Sequence, residues 1–173
     1  MSISYKKKVL LVGAAGVGKR ELANLIVKYQ TIPNNVGVEV MVKDVLLRNG
    51  EAATISIHDI NNQARFDFIR TTFYKGASGA ILVFDLTREE TFDETTRKWY
   101  EEIARACGVI PYVLVGNKLE LCERVGRVMD PAKAQAWAMA HHSRYIETIS
   151  NDGKQLEKAL QDLTEVMAGL EQW

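Results

Sequence analysis

The run Gly13-Ala14-Ala15-Gly16-Val17-Gly18-Lys19 constrains this chain more than any other feature. It follows the apolar run Val9–Val12 and precedes Arg20–Tyr29, where apolar residues at 22, 25, 26 and 29 recur with helical period. A G-x-x-x-x-G-K pattern between a strand and a helix is a phosphate-binding loop, or P-loop. Its glycines let successive N–H groups curl toward one anion, and the helix N-terminus adds partial positive charge. Lys19 supplies a mobile ammonium for terminal phosphates. The plain alternative is a glycine-rich turn with a surface lysine, which the flanking strand and helix disfavour. Gly13, Ala14, Ala15, Gly16, Val17, Gly18, Lys19 and Arg20 are therefore candidate phosphate contacts. The last position departs from the pattern. It calls for Ser or Thr, whose hydroxyl ligates Mg²⁺, whereas the guanidinium of Arg20 carries donors only and stays charged.

Two further apolar runs, Ala80–Phe84 and Tyr112–Val115, read as strands buried on both faces. Ala53–Ile57 alternates and predicts a strand beside the first. Val38–Leu47 predicts a longer edge strand turned at Asn49-Gly50, and Ser143–Glu147 a sixth, short strand. Helices are predicted over Glu90–Ala106, with Thr87 as N-cap, over Ala132–His141 after Asp130-Pro131, and over Lys154–Leu170. Strands alternating with helices imply an α/β fold with a mostly parallel sheet, whose ligands bind at the carboxyl ends of the strands.

A length of 173 residues predicts one domain, residues 1–173, large enough to need no disulfide or metal staple. Twenty-two basic residues balance 22 acidic ones, which argues against a protein that coats nucleic acid or acidic membranes. Cys107 and Cys122 lack metal-ligand spacing and read as ordinary thiols of a reducing compartment. Residue 2 is Ser, the apolar run after Lys6-Lys7-Lys8 is broken at Gly13, and no prenylation cysteine ends the chain. The expectation is a cytoplasmic protein with no integral membrane segment and no lipid-anchor signal in this chain.

Further motifs appear in order. Val36-Gly37-Val38-Glu39-Val40 looks like the end of a first switch, and Asp59-Ile60-Asn61-Asn62-Gln63 like D-x-x-G-Q. Phe73-Tyr74-Lys75-Gly76-Ala77 and Val83-Phe84-Asp85-Leu86-Thr87 come next. Asn117-Lys118-Leu119-Glu120 looks like N-K-x-D, and Glu147-Thr148-Ile149-Ser150-Asn151 like an altered E-T-S-A-K loop. With the P-loop, these motifs resemble the Ras superfamily of small GTPases, the Rab branch most closely, over nearly the whole chain. The resemblance implies a P-loop NTPase of the Ras-like G-domain type, with a six-stranded, mostly parallel sheet flanked by helices. It implies GTP or GDP as ligand, held by the P-loop, Asn117, Lys118, Glu120, Ser150 and Asn151. It also implies Mg²⁺ near Asp59, Gln63 orienting the attacking water, and regulatory or effector proteins meeting residues 31–40 and 60–75.

The departures from that family carry their own expectations. Arg20 and Asn35 stand where hydroxyls usually ligate Mg²⁺, and Asn62 replaces a glycine whose N–H meets the γ-phosphate. Asn tolerates positive φ, which would preserve that turn. Glu120 replaces the Asp that reads the guanine, one methylene longer. Arg20 either places positive charge on the phosphates or pairs with Asp59 and plugs the site. Two functions of different class follow. One is a guanine-nucleotide-binding protein with impaired Mg²⁺-dependent hydrolysis, and the other a nucleotide-free pseudo-GTPase serving as an interaction module. An ATP-using enzyme fits less well. His141 and His142 read as complements to a helix C-terminus rather than metal ligands, and Trp99 and Trp137 as packing residues. Phe66, Phe68 and Phe73 suit either a partner surface or local core.

Overall fold

The computed structural model describes residues 3–27 and 37–173. Asn35 and the rest of 28–36, including much of the first switch, lie outside the described residues.

The strands are β1 (Ile3–Gly13), β2 (Val38–Leu46), β3 (Ala52–Ile60), β4 (Gly79–Asp85), β5 (Tyr112–Asn117) and β6 (Arg144–Glu147). They form one six-stranded sheet in the order β2-β3-β1-β4-β5-β6. β2 runs antiparallel to β3, and every other pairing is parallel. The expected α/β architecture is present, and its reason is visible in burial. Every residue of β4 and β5 is buried, as their unbroken apolar runs require. The hairpin joining β2 to β3 turns at Gly50, whose φ of 85° suits a residue without Cβ. β1 extends beyond Val9–Val12 because its polar start, from Ile3 on, still pairs with β3.

The helical elements are α1 (Lys19–Ile26), α2 (Asp67–Arg70), α3 (Glu89–Glu94), α4 (Tyr100–Cys107), α5 (Leu119–Val125), α6 (Pro131–Ala140) and α7 (Lys154–Met167). One face of the sheet packs on α1 and α7 through Leu22, Ile26, Leu156, Leu160 and Leu163. The other packs on the α3–α4 segment and α6 through Phe92, Trp99, Ile103 and Ala134. Trp99 is fully buried, so it is the packing residue the sequence suggested.

Asp130 caps α6 as predicted, its carboxylate accepting from the Ala132 N–H at 2.9 Å ahead of Pro131 at the first turn. α7 ends in a Schellman turn. The Leu170 N–H donates to Glu165 O and the Gly169 N–H to Val166 O, with Gly169 at φ 76°. Thr87 does not cap α3. The helix opens at Glu89 with Arg88 before it. The Thr87 hydroxyl and N–H both donate to Asp85, at 2.6 and 2.9 Å, which ties the residue back to the end of β4. α3 passes into α4 through a π-turn, Thr95–Trp99. There the Thr96 hydroxyl donates to Phe92 O and the Thr95 hydroxyl to Val83 O, competing with the regular helical ladder.

Candidate functional site

The carboxyl ends of β1, β4 and β5 converge on the P-loop. Its shape is fixed by side chains that take its carbonyl oxygens one after another. Lys19 Nζ donates to Gly13 O at 3.0 Å and Ala14 O at 3.3 Å. An Arg88 Nη2–H donates to Ala15 O at 2.9 Å, Lys118 Nζ to Gly16 O at 2.7 Å, and Asn117 Nδ2 to Val17 O at 2.9 Å. With five successive carbonyls engaged by side chains, the loop's N–H groups are the backbone polar atoms left for an anion. Two glycines make this possible. A Cβ on Gly13 would stand 2.1 Å from Val83 O, and one on Gly18 2.6 Å from Asn117 Nδ2.

Behind the loop sits Asp85, at 2% exposure. One carboxylate oxygen takes Thr87, and the other meets Arg88 Nε at 3.1 Å and Lys118 Nζ at 3.0 Å. Burial works against charge on Asp85, but the bonds from Thr87, Lys118 and Arg88 outweigh it and hold its carboxyl below the usual range. The Asn117 amide oxygen accepts from the buried Thr148 hydroxyl at 2.9 Å. Lys118 occupies a left-handed conformation at φ 67°, which directs its ammonium back to the loop.

At the far end, a Glu120 oxygen accepts from the Ser150 N–H at 3.2 Å. Partial burial opposes its ionisation, but hydrogen bonds from Ser150 keep its carboxyl below the ordinary value. Ser150 and Asn151 lie in a tight turn closed by the Asp152 N–H on Ile149 O.

A cleft of about 630 Å³ opens on the other side of the loop. Gly16–Glu21, Gly37–Glu39, Asp59–Gln63, Arg65 and Phe66 line it. Burial pushes the Lys19 ammonium down, against the fields of Asp59, Glu94 and Glu21. Burial also pushes the Asp59 carboxyl up, to about 6, opposed by Lys19 and Arg20 and helped by Glu39 and Glu21. Arg20 does not pair with Asp59. Its Nη2 lies 2.7 Å from a carboxylate oxygen of Glu39 on β2. The Asn62 backbone does not use the positive φ that Asn tolerates. Among described residues other than glycine, only Lys118 and His142 have positive φ. The turn is held instead by the Asn61 side chain, which accepts from the Gln63 N–H at 2.8 Å, while the Asn61 N–H donates to Gly37 O. Gln63 is exposed at the rim of the cleft.

The guanidinium of Arg20 takes one oxygen ligand out of the set that Mg²⁺ would use. The ion wants near-octahedral oxygen ligands. Arg20 brings no oxygen ligand, and the carboxylates that line the cleft are Glu21, Glu39 and Asp59.

The second-switch segment is anchored by Arg70, at 4% exposure, which pairs with Glu102 at 2.8 Å and also with Asp67. Tyr74 donates to Glu102 at 2.8 Å. Of the three phenylalanines, Phe73 packs on the core, Phe66 stacks against Gly37, and Phe68 is 80% exposed. His141 stacks on Trp137 with centroids 4.1 Å apart, and its Nδ1 lies 2.7 Å from Trp137 O at the end of α6. Cys107 and Cys122 are free.

The sequence named the P-loop, Asn117, Lys118 and Glu120, which the structure brings together at one end of the sheet, and did not name as site residues Asp85, Arg88, Glu39 or Thr148, which contact them or line the cleft. Asp85 and Thr87 in Asp-x-Thr spacing were the available signal for a local side-chain turn. Nothing in the sequence pointed Arg88 at the loop.

The model of the Ras family matches residues 8–168. The human Ras-related protein Rab-30 is 35% identical, over 90% of this chain and 77% of its own length. The GTP-binding protein ypt3 of Schizosaccharomyces pombe is 34% identical, over 94% of this chain and 76% of its own. Ras-related protein Rab-7a of Paramecium octaurelia is 31% identical, over 95% and 82%. No helix among the described residues is long and apolar enough to cross a membrane. Likeness across almost the whole chain, together with a P-loop at the head of a Ras-type sheet, places this protein in the Ras family.

Proposed function

We propose that this chain is a single G domain that binds guanine nucleotide, hydrolyses GTP poorly with Mg²⁺, and acts through protein partners. The observation that carries the reading is the loop whose five successive carbonyls are taken by Lys19, Arg88, Lys118 and Asn117. Such a loop is organised for phosphates before any arrive. The base would rest against Asn117, Lys118 and Glu120, with Ser150 and Asn151 beside it. Glu120 still offers a carboxylate to a base N–H, but its hydrogen bond to the Ser150 N–H holds it partly engaged.

Poor turnover follows from the other half of the cleft. Phosphoryl transfer rests on positioning and on charge that bridges the β- and γ-oxygens. Arg20 brings no oxygen ligand, and Asn62 stands in place of the glycine. Asp59 and Gln63 line the cleft, and on this reading Asp59 would hold a metal-bound water and Gln63 would orient the attacking one. Partners would meet the exposed Phe68 and its neighbours in 60–75, together with 37–40 at the end of the first switch.

The test is a titration of nucleotide-stripped protein with fluorescent GTP, GDP and ATP analogues, followed by single-turnover hydrolysis. Expected are binding of both guanine nucleotides, discrimination against ATP, and slow phosphate release. Binding of no nucleotide, with a melting temperature unmoved by GTP or GDP, would replace this reading with that of an interaction module.

A further inference from the structure

The cleft holds two carboxylates that face each other. Glu39 on β2 and Asp59 on β3 are direct partners in the antiparallel register, so their side chains leave the same face of the sheet. Directly opposed like charges repel, and both groups line the cleft beside the P-loop. A cation beside them relieves that repulsion. The structure supplies Arg20, with Nη2 2.7 Å from Glu39, and its field also reaches Asp59.

We infer that Arg20 is a built-in replacement for the divalent cation. It pairs with Glu39 at the first turn of α1 and passes to incoming phosphates, so the site takes a nucleotide's phosphates without a metal. The inference rests on the proposed nucleotide binding and names the charge that such binding uses.

Three features argue for replacement rather than a plug. The Arg20 side chain is 64% exposed, so it is not locked in packing. The contact with the buried Glu39 oxygen is an ion pair at 2.7 Å without a well-directed hydrogen bond. A guanidinium also matches phosphate oxygens in a two-pronged geometry as well as it matches a carboxylate. Phosphates entering the loop would draw Arg20 from Glu39, in a cleft where Lys19 already supplies a second cation.

Two arms test the inference. In the first, fluorescent GDP and GTP are titrated into stripped protein with Mg²⁺ or with EDTA. The wild type should bind with dissociation constants that agree within about threefold between the two conditions. Arg20→Ser, checked for an unaltered far-UV spectrum and melting profile, should lose at least about tenfold in EDTA and recover much of it with Mg²⁺. Glu39→Gln, which frees Arg20, should bind at least as tightly in EDTA as the wild type. A wild type that needs Mg²⁺, or an Arg20→Ser variant indifferent to EDTA, overturns the inference. Absence of nucleotide binding in both conditions overturns the proposed function, and the metal replacement with it.

The second arm needs no nucleotide. Free Mn²⁺ is followed by electron paramagnetic resonance as protein is added. The wild type should leave the Mn²⁺ signal unchanged. Arg20→Ser should quench it by exposing Glu39 and Asp59 beside a new hydroxyl, and Arg20→Ser with Asp59→Asn should not. Quenching by the wild type would show that the guanidinium does not occupy the metal's place.

Discussion

Replacing Asp85 by Asn tests the side-chain-held loop directly. The side chain keeps its size, and its remaining oxygen can still accept from Thr87. The other oxygen becomes an NH₂ that points donors at Arg88 Nε and Lys118 Nζ, now 3.1 and 3.0 Å away. Flipping the amide only moves the conflict to Thr87. A hydrogen bond to a charged group is worth about 1.5–3 kcal/mol. Arg88 is 40% exposed and Lys118 23%, so water recovers part of each loss. The expected destabilisation is about 2–4 kcal/mol. For a domain of this size it should lower the melting temperature by roughly 5–15 °C. Urea unfolding followed by tryptophan fluorescence reads the change, with the slope against denaturant preserved. Because burial opposes but the surrounding donors overcome, the Asp85 carboxyl sits below its ordinary value. Its contribution is therefore present above the usual carboxylate range and fades as pH falls through the lowered value. Variant and wild type should converge in acid. Combining the change with Arg88→Ala should cost less than the sum of the two by about 1 kcal/mol. A loss under about 0.5 kcal/mol, typical of an unremarkable surface site, would refute the claim that Asp85 organises the loop.

Two further outcomes are expected. The Asp59 carboxyl is raised from 3.8 to about 6 by burial, so its effect on stability is fully favourable below the lower value and is lost as pH rises through the upper. Asp59→Asn should then match the wild type near pH 4 and exceed it by roughly 3 kcal/mol at neutral pH, and unfolding curves whose difference does not change with pH would contradict this. Gly18→Ala combines a φ of 94° with a Cβ 2.6 Å from Asn117 Nδ2. It should cost about 2–4 kcal/mol through backbone strain and loss of the Asn117 bond to Val17 O, and an unchanged melting temperature would show that the loop can yield.

The sheet was legible because its central strands are buried on both faces and must therefore be apolar throughout, as Ala80–Phe84 and Tyr112–Val115 are. The α6 start was legible because Asp130-Pro131 is a local signal. The π-turn at Thr95–Trp99 was not, since it depends on the Thr95 hydroxyl finding Val83 O on a neighbouring strand. The site divides along the same line. Glycines and lysine in the P-loop carry their meaning in spacing, whereas Glu39 meets Arg20 only through the pairing of β2 with β3. Arg88 is seen at the loop only once Asp85 has drawn Thr87 away from the helix start.

Asn117 and Lys118 each grip a P-loop carbonyl, whereas the Glu120 side chain takes the Ser150 N–H and no P-loop carbonyl. On the proposed reading, choice of base and hold on phosphate would be geared together at two positions and uncoupled at the third. An engineer who retunes base preference through Asn117 or Lys118 would detune phosphate binding in the same stroke. Glu120 can be varied as an independent dial, and a shorter Asp or a neutral Gln there would alter which base is accepted while the phosphate end keeps its shape.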